Sequence, residues 1–265
     1  MDWQANDLRI SDRVTHYYRN GNTGKPTLVF CHGFSDNGLC WHKVAFTLTE
    51  QFDIVLLDAR NHGQSSRGAV SPKDMTQDLA DVITTLNLAP VIAVGHSMGA
   101  STVARLAADY PNLVSRIVLE DPAWFDEADA KPLKGYRKRA AGFAKYLEMI
   151  TRLSNDQLLA MGQAQHPKWP LDEFPNWVQS KREVDVLALK GLAPPPWQAL
   201  VHRINCPALL LHADETSDGI LKQPVVDQIL TLNPCFQAIQ IKDAGHNLRR
   251  EQFEPFMAAI KAFLL

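Results

Sequence analysis

Val91-Ile92-Ala93-Val94-Gly95-His96-Ser97-Met98-Gly99 is the stretch on which the reading of the whole chain turns. Four apolar residues, three of them β-branched, run into a Gly-x-Ser-x-Gly pentapeptide. Ala100-Ser101-Thr102-Val103-Ala104-Arg105-Leu106-Ala107-Ala108 follows as a small-residue helix that Pro111 helps to end. A serine held on a tight strand-to-helix turn projects its hydroxyl while straining its own backbone. Glycines two residues to either side leave room for that turn and for close helix–strand packing. The N-terminus of the following helix lends positive potential to an oxyanion forming beside it. A bare pentapeptide of this kind is common; between a strand and a helix it marks Ser97 as a candidate nucleophile.

Outward from this point, short apolar runs alternate with helical patterns. Thr27 to Phe30, Ile54 to Leu57, Ile117 to Leu119, Ala208 to Leu211 and Ala238 to Ile241 read as further strands. Most are continuous rather than alternating, as parallel strands covered on both faces require. A helix entered through Ser71-Pro72 carries Met75, Leu79, Val82, Ile83 and Leu86 on one face. A last helix carries Phe253, Phe256, Met257, Ile260 and Phe263. This order predicts an α/β fold with a mostly parallel central sheet flanked by helices. Near the N-terminus, Ile10 to Val14 and Thr15 to Tyr18 read as an antiparallel pair. Residues 122–200 break the rhythm, with helical patterns, many aromatics and no convincing strand. They are expected to form a helical lid inserted into a core made of residues 1–121 and 201–265.

Composition narrows the function. The chain has 265 residues, 46% hydrophobic and 21% charged, with a formal net charge of −2. That is ordinary for a globular protein, and it offers no basic field to nucleic acid or an anionic membrane. No apolar run approaches the roughly 20 residues that span a bilayer. Residues 1–7 lack the basic and apolar regions of a signal peptide. Cys31, Cys40, Cys206 and Cys235 form no Cys-x-x-Cys pair, and buried free thiols in a reducing cytoplasm are the simpler expectation. No His-Glu-x-x-His or clustered cysteines suggest a metal. A small-molecule substrate, no cofactor, and a monomer or homodimer are therefore expected.

Three further segments fall where a site around Ser97 needs them. Leu28-Val29-Phe30-Cys31-His32-Gly33-Phe34 is a strand ending in His-Gly, whose backbone N–H groups suit half of an oxyanion hole. Phe34 is the expected donor there, and the Met98 N–H the other. His32, Gly33 and Trp124 are expected close to the substrate. Leu57-Asp58-Ala59-Arg60-Asn61-His62-Gly63-Gln64-Ser65 reads as a structural turn. Ile241-Lys242-Asp243-Ala244-Gly245-His246-Asn247 puts a histidine in a loop before the last helix. In this order the four segments closely resemble those of the α/β-hydrolase superfamily over nearly the whole chain. One departure is Asn61, where the family usually has glycine. The resemblance implies Ser97 as nucleophile, His246 as general base and the middle region as a cap. A serine nucleophile argues against the aspartate-dependent haloalkane dehalogenases and epoxide hydrolases of this fold.

The base needs a carboxylate partner, and the family takes it from either of two strand ends. Asp121 follows Ile117-Val118-Leu119-Glu120 in a Leu-Glu-Asp-Pro-x-Trp string that resembles relatives using the earlier strand. Asp218 is the alternative, and Asp214 a third candidate, in the loop after the later strand. His96, His32 and His62 read as packed or positioning residues. The run Lys131, Lys134, Arg137, Lys138, Arg139 reads as a solvated helix face. The expected reaction is hydrolysis of a carboxylic ester of a small to medium, partly apolar substrate through an acyl-enzyme, with uncharged esters favoured. Carbon–carbon cleavage of a meta-cleavage diketone, lactone opening and thioester hydrolysis share that chemistry. A non-enzymatic ligand receptor on the same fold is the rival of another class.

Overall fold

A computed structural model describes residues 3–125, 132–191, 196–214 and 216–265. Its eight strands are β1 (Gln4–Ile10), β2 (Arg13–Arg19), β3 (Thr27–Cys31), β4 (Asp53–Leu57), β5 (Val91–His96), β6 (Val114–Glu120), β7 (Ala208–Ala213) and β8 (Phe236–Ile241). They form one sheet in the order β1-β2-β4-β3-β5-β6-β7-β8. β1, β2 and β4 pair antiparallel, and every pairing from β4 to β8 is parallel.

β3, β4, β5 and β7 are buried at every position, which is why their sequences are apolar without alternation. Successive side chains still point to opposite faces. Val29, Val55 and Ala93 pack under the helices Pro72–Thr85 and Met98–Asp109. Leu28, Phe30 and Ile54 pack under Trp41, Phe256 and Ile260. The first of these helices starts on a capping box, with Ser71 Oγ accepting from the Asp74 N–H and Asp74 accepting from the Ser71 N–H.

The chain runs from β3 outward to β4 and then crosses back to β5 on the other side of β3. Strand order reverses there, and such a switch opens a crevice beyond the carboxyl ends of the two strands. His32 to Phe34 follow β3 and Ser97 follows β5, so both loops meet in that crevice. Between β6 and β7 the described residues form helices and no strand, chiefly Pro132–Arg152, Asn155–Gln165 and Phe174–Glu183.

The first hairpin differs from expectation. Its turn lies at Ser11-Asp12, not between Val14 and Thr15, and Ser11 adopts a left-handed φ of 56°. β1 is an edge strand with a polar, half-exposed sequence. It is held by seven residue pairs with β2 rather than by burial, so hydrophobic patterning carries little trace of it. The four cysteines are free, and Cys31, Cys40 and Cys206 are buried. Among the described residues, no helix is long and apolar enough to cross a membrane.

Candidate active site

Ser97 sits between β5 and the helix Met98–Asp109 with φ 52° and ψ −110°. A non-glycine residue in that region is strained, and the neighbouring structure fixes it. The Ser97 N–H donates to the Glu120 carbonyl at 2.9 Å, and the Ser97 carbonyl accepts from the Ser101 N–H at 3.1 Å. A methyl group on Gly95 would lie 2.4 Å from the Gly99 carbonyl oxygen, and one on Gly99 would lie 2.2 Å from that of Cys31. Both obstacles are backbone atoms. Gly99→Ala must therefore push the helix away from the end of β3, at a cost of about 1–3 kcal/mol or more. Urea denaturation should show the loss as a lower midpoint; an unchanged midpoint would mean that the two segments part freely.

His246 follows β8, and its Nδ1–H donates to Asp121 Oδ2 at 2.6 Å. Asp121 is fully buried at the end of β6 with φ 39°. Its two oxygens also accept the Ile220 N–H at 2.8 Å and the Leu221 N–H at 2.9 Å. This network fixes the carboxylate as an acceptor on both sides and leaves the Nε2 lone pair of His246 available. Asp218 does not reach the ring. Its Oδ1 accepts the backbone N–H of His246 at 3.3 Å. Asp214 closes its own turn, accepting from the Thr216 N–H and hydroxyl at 2.9 and 2.8 Å. The His246 loop is anchored at two more points: His96 Nε2–H donates to the His246 carbonyl at 2.9 Å, and the Gly245 N–H donates to Glu251 at 2.8 Å. Burial, with Arg249 and His246 nearby, holds His96 well below the usual histidine range, so it stays neutral.

His32 stands behind the opposite wall. Its Nε2 accepts the Ala59 N–H at 3.0 Å, and Nδ1–H donates to the Gly33 carbonyl at 2.8 Å. Burial lowers its pKa. His32 and Gly33 therefore shape the loop that presents Phe34, and neither lines the cavity described below. A methyl group on Gly33 would lie 2.6 Å from His96 Nδ1, so a close approach of the two loops requires that glycine. Phe34 and Met98 both border the cavity with Ser97. The Met98 N–H opens its helix and has no intrahelical partner.

Asp58 is a structural turn residue, accepting the N–H groups of Gly38 at 2.7 Å and Gln64 at 2.9 Å. Asn61 beside it has φ 66°, and its side-chain amide bonds Gly68 in both directions at 2.9 and 2.8 Å. Asparagine tolerates the left-handed region better than other side chains, which accounts for its standing where relatives have glycine.

A cavity of about 560 Å³ joins these elements, with Ser97 and His246 in its wall. Phe143, Tyr146, Trp169 and Trp177 close it from the segment between β6 and β7. Trp124, expected at the substrate, does not line it. That residue is fully buried, stacks on Trp197 with ring centroids 6.1 Å apart, and donates its indole N–H to Ser101 Oγ at 3.2 Å. Its neighbours Ala123 and Phe125 do line the cavity, so it is the Trp124 side chain that turns away. The basic run from Lys131 to Arg139 lies outside the residues whose side chains are described. Among the described residues, no group of three or more His, Cys, Asp or Glu could hold a metal ion.

Sequence patterning missed a buried charge network on the cavity wall. Asp36 lies 3.1 Å from Lys181 Nζ, 3.2 Å from Arg249 Nη2 and 3.1 Å from Arg250 Nη2. Arg249 also pairs with Glu120 at 2.9 Å, and Arg250 with Glu173 at 3.2 Å. Burial works to raise the pKa of Asp36, but Arg250, Lys181 and Arg249 outweigh it and hold the carboxyl well below its usual range. These six residues come from five separate parts of the chain, so no local pattern joins them.

The family model of the alpha/beta hydrolase fold matches residues 26–248. 2-(Acetamidomethylene)succinate hydrolase of Mesorhizobium japonicum is 32% identical over 120 residues, 44% of this chain and 43% of that protein; the match thus spans less than half of the relative's length. N-formylmaleamate deformylase of Pseudomonas putida is 26% identical over 262 residues, covering 94% of this chain and 92% of the relative. The crystal structure of E-2-(acetamidomethylene)succinate hydrolase superposes with a TM-score of 0.83 at 19% identity over 99% of each chain. With the elbow after β5, the reversal of strand order beside it and a family match over most of its length, the chain belongs to the α/β-hydrolase fold family.

Proposed function

We propose that the protein is a serine hydrolase that cleaves a carboxylic ester of a small to medium, partly apolar substrate. The observation that carries this reading is the 2.6 Å hydrogen bond from His246 to the buried Asp121, with Ser97 strained on its turn in the wall of the same cavity. Ser97 Oγ attacks the ester carbonyl while His246 Nε2 takes its proton, and the negative charge on Asp121 stabilises the imidazolium. The carbonyl oxygen becomes an oxyanion that accepts from the Phe34 and Met98 N–H groups. As the tetrahedral adduct collapses, the imidazolium protonates the departing alkoxide. Water then attacks the acyl-enzyme, giving its proton to His246, and the acid leaves as Ser97 recovers its hydrogen.

The cavity volume falls within the range of small-molecule sites. Residues 122–200 act in this proposal as the cap that excludes water from the acyl-enzyme. Four free thiols suit a reducing, cytoplasmic compartment. A second reading, cleavage of an amide by the same steps, is favoured by the alignment with N-formylmaleamate deformylase along 94% of this chain.

A fluorophosphonate probe tests the nucleophile. One adduct per chain is expected, mapped to Ser97 by peptide mass spectrometry and absent from Ser97→Ala; labelling elsewhere overturns the assignment. A kcat/KM series over p-nitrophenyl esters, with an anilide, a coenzyme A thioester, a lactone and a meta-cleavage diketone alongside, then identifies the bond. Short acyl esters should lead. A hundredfold preference for any of the others reassigns the reaction, and turnover of none would leave the ligand-receptor alternative.

A further inference from the structure

The cationic side chains around the cavity are of two kinds. Lys181 and Arg250 are buried, but carboxylates within the protein answer their charges. Lys181 faces Asp36 at 3.1 Å, and Arg250 faces Glu173 at 3.2 Å and Asp36 at 3.1 Å. Among the described residues Arg105 has no carboxylate closer than 4.0 Å. It lines the same cavity from the helix that starts at Met98, and its side chain is 11% exposed. Its ion-pair neighbour among the described residues is Asp109, 4.0 Å away, and Arg203 already holds the other oxygen of that carboxylate at 2.7 Å.

The neighbouring hydroxyls do not relieve it. Ser101 Oγ accepts the indole N–H of Trp124 at 3.2 Å, and Thr102 Oγ1 donates to the Met98 carbonyl at 3.1 Å. A guanidinium keeps its proton under all ordinary conditions. Removed from most of its water, with Asp109 at 4.0 Å as its nearest described counter-charge, it is costly to maintain. We infer that Arg105 receives a carboxylate of the substrate, so that the molecule cleaved is a monoester or monoamide of a dicarboxylic acid. This rests on Ser97 being the nucleophile.

Helix geometry gives the separation that acid has to bridge. Arg105 lies eight residues after Ser97, roughly 12 Å along the axis at about 1.5 Å per residue. Its guanidinium lies 4.0 Å from Asp109, one turn further along the same helix. The chain between the free carboxylate and the scissile carbonyl has to bridge that separation. Met75, Met98 and Pro72 also border the cavity, which suits an aliphatic or unsaturated spacer. A free carboxylate at one end replaces the uncharged substrate expected from sequence.

The test compares p-nitrophenyl hemiesters of succinate, glutarate and adipate with neutral p-nitrophenyl butyrate. In the wild-type protein at least one hemiester should exceed butyrate tenfold in kcat/KM. Arg105→Gln should lower that ratio at least tenfold, mainly through KM, and Arg105→Lys should recover part of it. An equal fall for both kinds of ester, with the ratio unchanged, gives Arg105 a structural role and overturns the inference. Binding of monomethyl glutarate to Ser97→Ala, measured by calorimetry, reads the same contact without turnover. Binding that survives Arg105→Gln in the Ser97→Ala background also overturns it. If instead Ser97 resists the fluorophosphonate while Arg105 still governs glutarate binding, the nucleophile is misassigned and the carboxylate contact stands.

Discussion

Ser97→Ala is expected to lower kcat/KM for the best ester by about 10⁴- to 10⁶-fold while leaving the unfolding midpoint almost unchanged. The substitution removes one oxygen and little else. Alanine meets the same left-handed backbone that serine does, and the hydrogen bonds fixing the turn run through the main chain, from Ser97 to Glu120 and from Ser101 to Ser97. In the proposed mechanism the Phe34 and Met98 N–H groups remain to bind the carbonyl, which sets the floor of residual activity. Asp121→Asn should cost about 10⁴-fold by a different route. Each carboxylate oxygen accepts a backbone N–H, from Ile220 or Leu221, and one of them also accepts from His246. An amide offers a single oxygen to these three donors. His246 then loses its acceptor or turns to the other tautomer, with its Nε2 protonated and useless as a base. Stopped-flow acylation kinetics check both variants, and more than one per cent of wild-type activity in Ser97→Ala would sink the acyl-enzyme.

Asp36→Asn is expected to destabilise the fold by about 3–5 kcal/mol, because it leaves three buried cations facing a neutral amide. Lys181, Arg249 and Arg250 all come within 3.2 Å of the Asp36 carboxylate. Glu120 and Glu173 still compensate the two arginines, whereas Lys181 keeps no carboxylate among the described residues, only the Ser35 carbonyl at 2.8 Å, the Ser180 hydroxyl at 3.3 Å and the Trp177 ring face at 5.0 Å. Urea unfolding at neutral pH gives the magnitude. The pH dependence gives the sign. The folded-state pKa of Asp36 lies well below its ordinary value, so its contribution is complete above the unfolded pKa of about 4. It is lost as the pH falls below that value towards the folded pKa. Asp36→Asn should lack this part of the acid-side decline, and a slope as steep as that of the wild type would mean that Asp36 is not the group taking up the proton.

Fully buried strands left the plainest marks in the sequence. β3, β4, β5 and β7 are continuous apolar runs because both faces are covered, and their positions follow from composition alone. β1 left almost none, since pairing along an edge needs backbone groups rather than particular side chains. Ser97, His246 and Asp121 could be singled out because each lies just after a strand. Lying at the ends of β5, β6 and β8, they converge once the strands are ordered in the sheet. Trp124 was misplaced because proximity to Asp121 along the chain says nothing of which way a side chain points: Ala123 and Phe125 face the cavity and Trp124 does not. Arg105 was in plain view: it shares a helix face with Ser101 by the 3.6-residue period. The inference drawn from it needed the pairing of Asp109 with Arg203, a contact between parts of the chain far apart in sequence.

The two strands that bracket the helical segment already pair with each other, Ile117 opposite Ala208 and Glu120 opposite Leu211 in the parallel register of β6 and β7. The sheet on either side holds those strands together whatever joins them. The entropy lost in closing such a connection grows only with the logarithm of its length, so doubling it costs roughly 0.6 kcal/mol. Lengthening the part of the chain that supplies Phe143, Tyr146, Trp169 and Trp177 therefore costs little in closure entropy, provided that Glu173 and Lys181 keep their pairings with Arg250 and Asp36. The turn bearing Ser97 has no such latitude, because backbone crowds both of its glycines. One scaffold thus combines a rigid reactive centre with an evolvable roof, and the identity of the molecule that fits beneath can drift without threatening the fold.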